Sequence, residues 1–191
     1  LLSLTALLFA VPVLGQANAD KAVIYIGGAY NKAMVDDAQN GFVGVDFFAG
    51  KMLNNEFCLG FAAGYDIVHY YKYTVSSAQD EGGGDFTERL SILPILLKGR
   101  YYFTISPMLQ FNVAAAGGVY NTISRLGGHS VGGVSENTTE YGGSIGIGLD
   151  YWFILTTGVS FEFEYHMFTT PGDAPMFKYW QVRVDYGIIK F

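Results

Sequence analysis

Glu162, Glu164 and His166 alternate along the segment VSFEFEYHM, Val159 to Met167. Two carboxylates and an imidazole at every second position could be an acid–base pair, a set of metal ligands, or the wet face of a strand. The residues between them, Val159, Phe161, Phe163, Tyr165 and Met167, are apolar or aromatic. The segment therefore reads as a β-strand with one apolar and one polar face. Alternate residues of a strand lie about 7 Å apart, so Glu162, Glu164 and His166 cannot share an ion as adjacent ligands without strong bending. The carboxylate spacing resembles that of some paired-carboxylate hydrolases, but nothing else nearby marks a sugar site.

Other candidate chemistry is sparser. His129 and Ser130, with Glu136 and Glu140 following, hold the parts of a nucleophilic site. Their spacing matches no such motif, and RLGGHSVGGVSENTTE reads as a Gly-rich loop. The Gly82-Gly83-Gly84 run does not lead from a strand into a helix, so it is not a phosphate cradle. Cys58, the single cysteine, cannot form an intramolecular disulfide and lacks the usual signature spacings. No catalytic residue, metal ligand or cofactor is assigned, and the chain is not expected to be an enzyme. A net charge of −6 argues against nucleic acid as a partner, because that calls for a basic surface.

The elements that carry these residues follow from composition and periodicity. Hydrophobic residues make up 50% of the 191, charged residues only 15%, an unusual balance for a soluble domain. Residues 1–19 form an apolar run ending in Ala17-Asn18-Ala19. They read as a cleavable signal peptide that lacks its charged start, with cleavage expected after Ala19. Residues 20–191 then form one domain. Beyond Ala19 no apolar run approaches the ~20 residues of a membrane helix. Instead, eight segments alternate with period two: about Ala22–Tyr30, Gly41–Met52, Phe57–Val75, Phe86–Phe103, Met108–Tyr120, Tyr141–Phe153, the VSFEFEYHM segment, and Phe177–Phe191. Short turns near Leu53–Glu56, Thr104–Pro107 and Ile154–Thr157 alternate with longer polar loops near Asn31–Asn40, Ser76–Asp85, Asn121–Glu140 and Thr169–Met176. This is the pattern of an all-β, eight-stranded, antiparallel up-and-down transmembrane β-barrel. An even strand count puts both mature termini on the short-turn, periplasmic side.

The faces point the same way. The apolar faces are large and aromatic, whereas the polar faces are rich in Gly, Ala and Ser, as the narrow lumen of a small barrel requires. The lumen would then receive Asp46, Asp66, Lys72, Lys98, Arg100, Asp150, Glu162, Glu164, His166, Arg183 and Asp185. Such charges must be paired or hydrated. Symmetric pairing of the last two strands sets Glu162 beside Arg183, with Lys98 and Arg100 as further partners. A soluble eight-stranded carrier, its apolar face turned inward, is the competing architecture.

The stretches RLSILPILLKGRYYF, Arg89–Phe103, and FNVAAAGGVY, Phe111–Tyr120, resemble the small outer-membrane β-barrels of Gram-negative bacteria, the group of OmpA-like, OmpX-like and opacity-type barrels. Terminal Phe191, with Ile189 two residues before it, resembles the signal read by the barrel-insertion machinery. The resemblance implies an outer-membrane location, outer-membrane lipid and that machinery as partners, and a structural or surface-interaction role with the long loops outside the cell. An extracellular partner would engage those loops. A narrow porin-like channel and a barrel enzyme acting on lipid A are the alternatives. Two positions depart from the pattern. Ile189 and Phe191 lie on the opposite parity from Trp180, Val182, Val184, Tyr186 and Ile188, which a bulge or local twist near Ile188–Ile189 would reconcile; otherwise the insertion-signal reading weakens. Pro94 and its neighbours Leu90, Ile92 and Leu96 share parity with Lys98 and Arg100, so a bulge is expected at Pro94; otherwise the upper lumen carries an apolar patch.

Overall fold

The computed structural model describes residues 21–34, 42–75, 84–128, 134–154, 156–170 and 176–190. The signal peptide expected over residues 1–19, the His129-Ser130 pair, Gly82, Gly83 and Phe191 lie outside them, as do the side chains of Lys72 and Ile189. Eight strands follow in chain order: β1 (Ala22–Ala33), β2 (Phe42–Met52), β3 (Phe57–Val75), β4 (Gly84–Ser106), β5 (Leu109–Gly128), β6 (Val134–Ile154), β7 (Thr157–Phe168) and β8 (Phe177–Lys190). Each pairs antiparallel with its chain neighbours, and β8 returns to β1 to close the barrel. From Ala29, the register partners Gly44, Asp66 and Ile92 lead to Thr122 on β5. Followed the other way, through Arg183, Glu162 and Gly148, they lead to Asn112. The sheet thus closes with a stagger of ten residues, the shear that tilts strands in a closed barrel.

The two faces are sorted opposite to those of a soluble protein. Val43 is 69% exposed and Ile145 59%, and Phe47, Ile147, Leu149, Phe161, Phe163, Val182 and Val184 also face outward. Inside, Asp66, Lys98, Arg100 and Asp150 are fully buried. An exterior of this kind is matched to lipid, and closure leaves no backbone edge for lipid to strand. The soluble-carrier architecture is thereby excluded.

The turns at one end are tight and locally specified. Between β2 and β3, Asn54 Oδ1 accepts the backbone N–H groups of Glu56 and Phe57 at 2.8 and 2.7 Å, as Asx turns do. Between β4 and β5, Ser106 Oγ accepts Leu109 N–H at 3.1 Å.

Three expectations are corrected. The register across Pro94 is uninterrupted, pairing it with Tyr120 on β5. The irregularity lies instead between Ile67 and His69 of β3. The parity of β4 is therefore kept, and Ile92, Pro94 and Leu96 bury an apolar patch in the upper lumen. Nor is there a bulge at Ile188–Ile189: β8 pairs Ile188 with Ile24 and Ile189 with Val23 in regular succession. Finally, most of the loop expected over Asn121–Glu140 is strand. The β5–β6 hairpin continues to the Leu126–Val134 pair, held by Thr122 to Thr138 at 2.6 Å and by Thr139 donating to Asn121 at 2.8 Å. Among its described side chains, Asn121, Thr122, Ile123 and Ser124 are half-buried on both parities and Arg125, Ser135, Glu136 and Asn137 are exposed, so the extension lacks the alternation that marks a lipid-facing strand.

Candidate functional site

The lumen is filled in three layers. At its centre, β4, β7 and β8 project Lys98, Arg100, Glu162, Glu164, Arg183 and Asp185 into one space because each side chain has inward parity. Register sets Glu162 directly opposite Arg183, and their charged atoms meet at 2.6 Å. Arg183 also contacts Glu164 at 3.1 Å and Asp185 at 2.9 Å. Lys98 reaches across the lumen to Glu162 at 2.8 Å and to Glu164. Arg100 pairs with Glu162, and Ser144 donates to Glu164 at 2.9 Å. Space for this layer comes from glycine: a Cβ on Gly146 would sit 2.8 Å from Glu164 Cγ.

Below, at the short-turn end, Arg100 spreads its guanidinium over the Tyr25 and Phe48 rings at 4.4 and 4.7 Å, a cation–π stack. Tyr25 donates to Asp150 at 2.8 Å, as does Asn112 at 3.1 Å. Trp152 lies beside Tyr25, ring centres 6.2 Å apart, and donates to Gln110 at 3.2 Å. Above the centre, His166 stacks on Tyr179 at 4.5 Å, with its Nδ1 3.1 Å from the Tyr120 hydroxyl. Tyr120 in turn stacks on Phe168 at 4.7 Å. Asp46 and Asp66 sit here among Asn31, Tyr179 and Gln181.

The structure therefore places Asp46, Asp66, Lys98, Arg100, Asp150, Glu162, Glu164, His166, Arg183 and Asp185 in the lumen, all buried. It gathers Lys98, Arg100, Glu162, Glu164, Arg183 and Asp185 into one ion-paired network and sets Asp150 and the Asp46–Asp66 pair apart from it. Glu162, Glu164 and His166 do not converge as ligands: His166 Nε2 is 3.5 Å from Glu164, while Glu162 turns to Lys98 and two guanidiniums. Among the described residues no three His, Cys, Asp or Glu side chains are grouped as a metal site. Glu136 and Glu140 lie on β6 in the hairpin extension. The large inward aromatics Tyr25, Phe48, Trp152, Tyr120 and Tyr179 were missed as lumen fillers. Their inward parity was the available signal, but aromatic residues in alternating strands invite a lipid-facing reading.

No family model and no curated protein matches the sequence. The fold does match solved structures. Neisserial surface protein A aligns with a TM-score of 0.56 at 16% identity, over 87% of this chain and 96% of its own. Ail, the attachment invasion locus protein of Yersinia pestis, solved with the heparin analogue sucrose octasulfate, aligns with a TM-score of 0.51 at 14% identity, over 88% and 98%. The outer membrane protein OprG from Pseudomonas aeruginosa aligns with a TM-score of 0.50 at 15% identity, over 91% and 97%. With eight strands closed on themselves, apolar residues outside and charges within, the chain has the fold of the small outer-membrane β-barrels.

Proposed function

We propose that this protein is an integral outer-membrane barrel of a Gram-negative bacterium with a structural or surface-interaction role, and not an open pore or an enzyme. The supporting observation is the filled lumen. Ion pairs cross-link its centre, and aromatic stacks occupy it above and below. A solute would have to displace buried, mutually paired charges, which is costly. The interaction surface is the end opposite the tight turns. There β3, β4, β5 and β6 run 19, 23, 20 and 21 residues, against about 9–11 for a strand that only spans the bilayer. In this reading both mature termini are periplasmic, outer-membrane lipid surrounds the barrel, and an extracellular partner engages the long hairpins. The barrel-insertion machinery would read the C-terminal strand.

Heat-modifiable gel migration of the protein in outer-membrane fractions tests compartment and fold together. Protease treatment of intact cells should cut the β5–β6 hairpin while leaving the short turns uncut. A chain that stays soluble without detergent, or is cut at the short turns first, overturns the proposal.

A further inference from the structure

The outer wall of the barrel also sorts its charges by sign. Every carboxylate described within the membrane-spanning part of the strands is buried in the lumen. Glu136 and Glu140, on the β5–β6 extension, keep that inward parity, Glu140 lying opposite the buried Tyr120. The outward parity at this end carries bases instead. Arg89 and Arg125 are register partners on β4 and β5, on the same face as the exposed Ile95 and Val113. On the opposite wall, β1 and β8 carry Lys32 and Lys178, both exposed, above the paired rings of Tyr30 and Trp180. A chain of net charge −6 thus presents cations on its outer wall at this level.

Arg89 is held in place on that wall. Its Nε donates to Ser91 Oγ at 3.1 Å and its Nη2 to the Tyr65 hydroxyl at 2.7 Å. The Tyr65 hydroxyl donates in turn to Ser91 Oγ at 3.0 Å, and the guanidinium carbon lies 5.8 Å from the centre of the Tyr65 ring. Both partners are neutral. They use two of the five guanidinium N–H donors and leave three. Among the described residues neither Arg89 nor Arg125 has a carboxylate partner. Like charges directly opposite on paired strands repel, so this pair costs stability unless an anion lies between them. The height of the pair is independent of its charge. Arg89 stands twelve residues along β4 from Tyr101, an exposed aromatic at the short-turn end. A tilted strand climbs about 28 Å over that length, against an apolar band about 25 Å tall. The guanidinium, drawn back towards Tyr65, therefore lies where lipid headgroups begin.

We propose that Arg89 and Arg125 form an exterior binding site for a phosphate group of outer-leaflet lipid. The inference rests on the outer-membrane reading above and names the headgroup chemistry that this wall selects. A phosphate set between the two arginines takes the unused donors of Arg89 and cancels the repulsion of the pair. Guanidinium suits that ligand, because its planar fork meets two phosphate oxygens at once and is more weakly hydrated than an ammonium. Beneath the pair the same face continues through the exposed Ile95 and Leu97. A ligand with acyl chains below its phosphate covers that surface as well, and a soluble anion does not. Lys32 and Lys178, point charges without a fork, add attraction to the same headgroup layer on the other side of the barrel.

The test refolds the full chain into detergent micelles and titrates it with bisphosphorylated lipid A, with the same lipid A stripped of its phosphates, and with a soluble sulfated oligosaccharide. Native mass spectrometry of the intact barrel counts the bound molecules. The phosphorylated lipid should bind at least about tenfold more tightly than the stripped form, and Arg89→Gln together with Arg125→Gln should remove that preference. Equal affinity for the two lipids, a preference unchanged in the double variant, or tighter binding of the oligosaccharide than of lipid A overturns the proposal. Should the double variant not refold, an unchanged preference in Arg125→Gln alone overturns it equally. Heat-modifiable migration, measured on the unaltered chain before titration, separates this inference from the reading it rests on. A barrel that shifts on heating but ignores the phosphates overturns the inference alone, whereas a chain that does not shift overturns both.

Discussion

At the scale of the residue, Arg183 is the hinge of the lumen. It touches Glu162, Glu164 and Asp185, so Arg183→Met leaves three buried carboxylates with reduced compensation. Breaking one side of a buried ion pair costs about 3–5 kcal/mol. The variant should lose that order of stability in urea unfolding followed by tryptophan fluorescence, and no loss would mean the carboxylates find other partners. The pairing of Glu162 with Arg183 is legible in the sequence alone, because two strands joined by one loop pair symmetrically about it. The partnership of Lys98 with Glu164 is there only a matter of comparable depth: β4 and β7 are not neighbours in the sheet, and their side chains meet only because the barrel closes.

At the scale of the element, alternation defines each strand and its faces, and both faces can be probed. Phe163 faces outward, 46% exposed, so Phe163→Arg places a charge in hydrocarbon at an expected cost of about 2–4 kcal/mol, read as a lower unfolding midpoint in lipid bilayers. On the inner face, Gly146→Val would push into Glu164 and the Phe163 carbonyl, which a Cβ already approaches to 2.8 and 3.0 Å. It should slow or block refolding, seen as loss of the heat-modifiable band. Strand ends were less legible than strand centres. Val75 and Met52 end their strands where the pattern stops, but β5 and β6 run on through TISR and ENTT. Polar β-branched residues suit a sheet wetted on both faces, and such a sheet gives no period-two signal. Replacing residues 124–136 by a short turn should therefore leave the barrel folded and heat-modifiable, since the excised pairs stand beyond the lumen layers.

At the scale of the whole molecule, closure turns a set of amphipathic ribbons inside out relative to a soluble protein. The purified, refolded barrel should show no steady single-channel conductance across planar bilayers, because paired charges and stacked rings fill its lumen. A sustained open level would instead support the narrow-channel reading. Lipid A recovered from cells with and without the protein should be identical by mass spectrometry; a modified species would bring the enzyme reading back.

Period-two alternation, short turns between longer polar segments and the Gly- and Ala-rich polar faces were enough to determine strand number and the direction of each face. Those are local properties, set by the two-residue repeat of the strand and the steric demand of a narrow lumen. Which charges pair, that Ile92, Pro94 and Leu96 line the upper lumen without a bulge, and that Asp46 and Asp66 share the Gln181 amide were decided only by the tertiary structure. Each depends on the ten-residue stagger with which β8 meets β1. That stagger sets the height of every inward side chain against those on the far wall, and no single strand encodes it.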